Sequence, residues 1–195
     1  APYLEKMSQE FEGIISDIEQ QIYGHAGQEF NISSPSQLSK VLFEDLELST
    51  KGVKKGKTAY STAAGELDKL RWTHPIINLI TKYREYTKLK STYVDALPKL
   101  VDKNSRLHTD FRLTIAQTGR LSSAEPNLQN IPVRTEIGKK IREAFKAGEG
   151  KVLISADYSQ FELRLAASLA GDQELIELFN QGADIHTETA AQVYG

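Results

Sequence analysis

Through the first hundred positions apolar residues recur at threes and fours, and near Asn104 that spacing gives way to alternation. A chain patterned this way cannot be all-helical or all-β. Leu4, Met7, Phe11, Ile14, Ile18 and Ile22 lie on one face of an amphipathic helix that Gly24 and Gly27 close. Ser34-Pro35-Ser36-Gln37 reads as an N-cap, a proline at the first helical position and a capping-box glutamine. The helix it opens carries Leu38, Val41, Leu42 and Leu46. Residues 49–62 are a Lys, Gly, Ser and Thr-rich exposed loop, followed by a helix from near Thr62 to about Arg71. The longest predicted helix runs from Pro75 to about Leu97. Ile76, Ile80, Tyr83, Tyr86, Leu89, Tyr93 and Leu97 line one side of it, and Lys82, Arg84, Lys88 and Lys90 decorate the rest. The segment Arg106–Gln117 alternates and is rich in Thr and branched residues, which predicts a strand. The resulting class is α+β, with a mostly helical part over 1–103 and a mixed strand and helix part over 104–195.

Within the second part, Val152-Leu153-Ile154-Ser155-Ala156 predicts a buried strand ending on Asp157. Helical spacing follows at once, with Phe161, Leu163, Leu165, Ala166 and Leu169 apolar and Gly171 as a stop. Asp172 and Asp184 are placed to cap two further helices. A carboxylate at a strand end is held rigidly and still reaches solvent. Such an acid either caps a turn or mounts a hard divalent cation, and both readings stay open on this stretch alone.

Composition narrows the classes. With 39% hydrophobic and 26% charged residues the chain can bury a core. A net charge of −2 excludes a uniformly basic nucleic-acid binder, although it averages over faces. Lys51, Lys54, Lys55 and Lys57 sit within seven residues that contain no acid. The absence of cysteine removes disulfides, thiolate zinc sites and thiol catalysis, and fits a reducing compartment. No run of 18 apolar residues or signal-peptide layout occurs, so the expectation is a cytoplasmic protein without a membrane partner. The first residue is not Met and the last residues continue a helical pattern, so the chain reads as an excised piece.

The stretch Thr118-Gly-Arg-Leu-Ser-Ser123, with Pro126-Asn-Leu-Gln-Asn-Ile-Pro132 and Arg134, is odd for a core. Its prolines and glycine forbid a continuous helix. It can be an ordinary polar loop. Equally, amides and arginines are what reads the minor groove, where every base pair presents acceptors.

The ordered motifs TGRLSS, PNLQNIPVR, DYSQFELR and DIHTETAAQVYG resemble family A DNA polymerases, of the bacterial DNA polymerase I type. EFNISSPSQL, KLKSTY and RLHT extend the resemblance through the helical part. The resemblance implies a right-hand fold, with residues 1–103 as the thumb, Lys-rich at its tip over about 49–62, and 104–195 as the first part of the palm. It implies template-directed synthesis of DNA from dNTPs on a primer–template by a monomer, with two Mg²⁺ ions. Asp157 then matches the catalytic aspartate on both ions, and Tyr158 matches a residue whose backbone carbonyl is a further ligand. Glu162 matches the steric gate against a ribose 2′-hydroxyl. Gln160, Phe161 and His186 lie near the incoming nucleotide. Arg120, Asn127, Gln129, Asn130 and Arg134 match residues contacting the duplex. Lys54, Lys55, Lys88, Lys90, Ser91 and Thr92 match contacts to its backbone.

Two departures stand out. Phe161 replaces a smaller aliphatic residue, which bears on the nucleotide pocket, and Ser168 replaces a histidine. The resemblance also implies that the Lys- and Tyr-bearing fingers helix and a later His-Asp-Glu motif lie beyond Gly195. On that expectation the segment alone is a duplex-binding piece without activity. An acid–base hydrolase built on Asp157 and Glu162 is the competing class, and no other residue supports sugar binding.

Overall fold

The computed structural model describes residues 2–133 and 135–194, apart from the side chains of His186, Thr189, Gln192 and Val193. The fold is α+β, dominated by helices with one small antiparallel sheet. Contacts divide the chain into two compact units, residues 1–146 and 147–195.

In the first unit, α1 (Pro2–Ala26) runs against α4 (Pro75–Leu89). Leu4, Met7, Phe11, Ile18 and Ile22 of α1 are buried, as their spacing requires, whereas Ile14, expected on the same face, is exposed; Gly27 in the left-handed region (φ 69°) ends the helix. Between them, α2 (Pro35–Lys40) opens on Ser34, whose hydroxyl accepts from the Gln37 N–H. The Gln37 side chain does not close the box on Ser34 and instead accepts from the Asn31 N–H at 2.8 Å. This helix continues as a π turn over Val41–Asp45. The helix expected from Thr62 to Arg71 is shorter, α3 (Ala64–Asp68), and breaks into turns that lead to α4.

His74 caps α4, its Nδ1 accepting from the Ile76 N–H at 3.2 Å. The helix expected to reach Leu97 stops at Leu89. A π turn over Lys90–Val94 follows, then a 3₁₀ turn over Leu97–Lys99. Its apolar stripe nonetheless stays continuous and feeds two cores. Ile76, Ile77, Ile80 and Tyr83 pack with Ile18, Ile22, Leu38, Leu42 and Leu67. Leu89, Tyr93, Val94 and Leu97 pack with Leu4, Met7, Phe11 and Ile141, and Phe11 meets Tyr86 edge-on at 5.0 Å. Each fully buried branched side chain contributes about 1.5–3 kcal/mol, so this stripe dominates the unit.

The predicted strand over 106–117 is reduced to β1 (Asp110–Arg112), paired antiparallel with β2 (Ser122–Ala124). A buried hydroxyl cluster joins the pair. Ser123 Oγ and Thr109 Oγ1 are hydrogen-bonded at 2.6 Å, Leu128 N–H donates to Ser123 at 3.0 Å, and Thr109 donates toward the Pro126 carbonyl. Next, α5 (Glu136–Arg142), capped by Thr135, buries Ile141 and lays Gly138 against Pro132. Residues 104–146 thus pack with the helices although their local pattern differs.

In the second unit the strand predicted over Val152–Ala156 does not form. The segment is irregular, and Val152, Leu153 and Ile154 are 79%, 71% and 86% exposed. A strand exists only when its N–H and C=O groups are paired, and among the described residues no strand lies beside it. The helices arrive as expected: α6 (Phe161–Ala170), ended by Gly171 at φ 67°; α7 (Gln173–Asn180), capped by Asp172 on the Leu175 N–H at 3.1 Å; and α8 (Ile185–Tyr194). The apolar stripe of α6 does not bury, however. Phe161, Leu163, Leu165 and Leu169 are exposed, and only Ala167 joins Phe179 and Ile185 in a small core. No helix among the described residues is long and apolar enough to cross a membrane.

A Cβ on Gly138 would lie 2.5 Å from Pro132 Cβ and 2.9 Å from its carbonyl oxygen. Alanine is the better helix former by about 1 kcal/mol, but overpacking against backbone costs about 1–3 kcal/mol. Gly138→Ala therefore lowers the denaturation midpoint; an unchanged or raised midpoint would count against this packing. Ser123→Ala strips the Leu128 N–H of its partner inside the hydroxyl cluster. Its expected cost in denaturant unfolding is about 1–3 kcal/mol.

Candidate nucleic-acid interface and catalytic segment

The sequence-selected residues fall on both compact units. Arg120, Asn127, Gln129, Asn130 and the lysines belong to the first. Asp157, Tyr158, Gln160, Phe161, Glu162 and His186 belong to the second. Arg134 and the side chain of His186 lie outside the described residues.

The polar stretch before α5 is held from beneath. Arg120, Asn127, Gln129 and Asn130 are exposed, while the intervening Leu128 and Ile131 turn inward toward the second core. Asn127 Oδ1 accepts from the Gln129 N–H at 3.0 Å, fixing the turn locally. Tyr93 donates its hydroxyl to the Asn130 carbonyl and so ties the loop to the π turn after α4. Burial raises the Tyr93 hydroxyl above its ordinary pKa, so it remains a donor. The sequence places Tyr93 on an apolar stripe and Ser123 in a polar stretch, without marking either as a support of the loop. The signal was there in part, because a tyrosine on a buried stripe must find a partner for its hydroxyl.

The same π turn orders the KLKSTY motif. Lys88, Ser91 and Thr92 face solvent, and Tyr93 and Val94 face the core. Lys90 differs from its neighbours. Its side chain is only 20% exposed, and its ammonium donates to Asp95 Oδ2 at 2.8 Å.

At the Lys-rich loop, Val53 is buried as an anchor and Lys51, Lys54, Lys55 and Lys57 stand around it, exposed. The backbone N–H of Lys54 donates to Glu66 Oε2 at 2.9 Å, and Lys69 bonds both that carboxylate and the Gly52 carbonyl. The hydrogen bond from Lys69, with that from Lys54, holds the Glu66 carboxyl below its ordinary pKa. Lys55 lies over the Tyr60 ring at 5.4 Å. The ammonium groups therefore present a shaped, cationic edge, the kind of surface that meets phosphates without reading sequence.

Asp157 and Tyr158 are exposed on the irregular stretch before α6. Gln160, the N-cap of that helix, has φ 52° and ψ 37° and makes no side-chain cap. A left-handed conformation costs a residue with a Cβ about 1–2 kcal/mol. The strain falls in the turn between Asp157 and Glu162, where such outliers often mark functional sites. Glu162 then occupies the first turn of α6, beside the exposed Phe161, whose ring meets Tyr158 at 5.7 Å and a 41° tilt. Arg164 donates to the Ser159 carbonyl at 2.9 Å and stacks over Phe179 at 4.5 Å, which fastens the turn to the small core.

Among the described residues no three His, Cys, Asp or Glu side chains gather as a cation site. The oxygens that this stretch can offer include the Asp157 carboxylate and the Tyr158 carbonyl. Oxygens of this kind are the hard donors that a divalent cation prefers.

Comparison with known proteins identifies the family. A model of DNA polymerase family A matches residues 1–195. The thermostable DNA polymerase I of Thermus filiformis is 52% identical over 195 residues, which cover 100% of this chain and 23% of that protein. The DNA polymerase I of Geobacillus stearothermophilus is 51% identical over 193 residues, covering 98% and 22%. The chain thus spans under a quarter of the length of these curated relatives. Among solved structures, the POL domain of Pol1 from M. smegmatis, in complex with DNA primer-template and dNTP, superposes with a TM-score of 0.86 at 45% identity. That match covers 97% of this chain and 34% of the other. With a family match running from the first residue to the last and a fold shared with a polymerase domain, this chain is a member of DNA polymerase family A.

Proposed function

We propose that this chain is the thumb (1–103) and the first part of the palm (104–195) of a DNA-directed DNA polymerase, transferring nucleotides from dNTPs to a primer 3′-hydroxyl. One observation carries the reading. The chain shares about half its residues, over its whole length, with DNA polymerase I proteins, while its polar motifs sit at the surface instead of in the cores.

The exposed lysines of the tip, with Lys88, Lys90, Ser91 and Thr92, grip the duplex backbone, a contact that weakens as salt rises. Arg120, Asn127, Gln129, Asn130 and Arg134 donate to minor-groove acceptors near the primer end, sensing base-pair geometry without selecting sequence. Gln160, Phe161 and His186 border the incoming nucleotide. The first turn of α8, where His186 lies, favours its phosphates because the positive end of the helix dipole points there.

Asp157 and the Tyr158 carbonyl would hold Mg²⁺. Bound there, the metal supplies activation of the 3′-hydroxyl and neutralisation of the charge that collects on the departing pyrophosphate. Asp157 contributes the fixed negative charge that makes such a site possible. Glu162, five residues onward in the first turn of α6, crowds the 2′ position of the sugar and disfavours ribose.

Asp157→Ala in the polymerase should cut primer extension by about a thousandfold or more, since several kcal/mol of charge stabilisation is lost. Primer–template affinity in a gel shift should barely change. Retained synthesis would remove Asp157 from the metal site. Glu162→Ala should raise ribonucleotide incorporation by about ten- to a hundredfold, the discrimination that one small group usually supports. An unchanged ratio of ribo- to deoxynucleotide use would exclude the gate role.

A further inference from the structure

The π turn over Lys90–Val94 is pinned by a residue outside every role assigned above. Asp95 closes the turn twice over, its N–H donating to the Lys90 carbonyl at 2.9 Å and its Oδ2 accepting from Lys90 Nζ at 2.8 Å. In a regular α-helix, residues five apart point about 140° away from each other and cannot pair. Widening the turn brings them onto one side, so the ion pair and the extra residue of the turn stabilise each other. A third bond comes from another helix. Ser8 on α1 donates to Asp95 Oδ1 at 2.6 Å. Burial would raise the Asp95 carboxyl, but the bonds from Lys90 and Ser8 outweigh it and hold its pKa below the ordinary value. Glu5, Gln9 and Lys99 complete the surroundings of the pair, in a shallow surface cleft with Ser8 and Pro98.

What the pin controls lies within the turn. Ser91 and Thr92 point to solvent, and Tyr93 reaches the Asn130 carbonyl. Reversion to α-helical winding shifts the register by one residue, a rotation of about 100°. That rotation would carry Ser91 and Thr92 off the exposed face and draw the Tyr93 hydroxyl away from the loop holding Asn127, Gln129 and Asn130.

We propose that Asp95 is a positioning residue for duplex binding, keeping the π turn in the register that presents Ser91 and Thr92 on one side and tethers the Asn127–Asn130 loop on the other. The proposal rests on the duplex-binding reading given above.

Charge and position predict opposite signs here. Removing an acid beside a phosphate-binding surface and releasing Lys90 should, by charge alone, tighten DNA binding. Loss of register should weaken it. Primer–template affinity by fluorescence anisotropy, with a thermal melt of each variant, separates the two. Asp95→Asn is expected to weaken binding about tenfold, a size common for residues acting through neighbours, with Asp95→Glu recovering most of it. Binding by Asp95→Asn that is equal to or tighter than the parent's overturns the proposal. Should that variant melt early, Ser8→Ala replaces it, removing only the bond from α1. A weakening of about threefold is then expected, and none overturns the proposal. Lys88→Ala and Thr92→Ala serve as controls. If neither weakens binding, the duplex-binding reading itself fails; if they do and the Asp95 and Ser8 variants do not, only the positioning role falls.

Discussion

The seam between α1 and α4 is the interaction on which the first unit depends. One stripe on α4 and its continuation supplies both hydrophobic cores. Ile76, Ile77 and Ile80 enter the first, Leu89, Tyr93, Val94 and Leu97 enter the second, and Tyr86 borders both. The stripe survives a change of helical winding at Lys90 because what packing selects is the direction of a side chain. The π turn costs hydrogen-bond quality but keeps Tyr93 and Val94 pointing at α1 and α5. It also places Ser91 and Thr92 on the solvent side. Core packing and the exposed polar face are two consequences of the same widened turn.

Much of this was legible in the sequence, for reasons that can be traced to residues. Helices with a one-sided apolar spacing and a cap announced themselves: Leu4 to Ile22 for α1, Asp172 for α7, and Gly171 as the end of α6. The π turn was not legible, because the spacing Leu89, Tyr93, Leu97 is the same whether the chain winds at 3.6 residues or locally wider. Nor was the packing of 104–146 with the helices. The pattern changes near Asn104, but a change of local pattern is not a change of packing partner, and Leu107, Leu128, Ile131 and Ile137 join the core of α1 and α4. The compact units accordingly divide after Lys146.

The polar loop between β2 and α5 shows how surface chemistry is held by buried groups. Asn127, Gln129 and Asn130 look outward, and none of them fixes its own place beyond the one Asx turn at Asn127. Their backbone is set by Ser123 and Thr109 below, by the Tyr93 hydroxyl at the side, and by Pro132 against Gly138 at the end. A motif search finds the outward residues. The supporting ones are ordinary serines, threonines and tyrosines, visible only once a hydrogen-bond account is demanded of each buried polar group.

The second unit is built on the opposite principle. Its chemistry-bearing stretch has a buried composition and an exposed position. Val152, Leu153 and Ile154 stand in solvent, as does most of the apolar face of α6. A strand of this composition gains little by standing alone, since its backbone groups then bond only to water and its side chains bury nothing. A metal-holding carboxylate, by contrast, must be fixed to within about 0.5 Å of its working position. Arg164 and the left-handed Gln160 fasten the turn that follows Asp157, from the helical side only. Pairing of the Val152–Ala156 backbone would bury that apolar run and fix the carboxylate from the other side in one step. If Asp157 holds the metal as proposed, a segment pairing with Val152–Ala156 would bear on catalysis as well as on the stability of the unit, and the two could not be tuned apart.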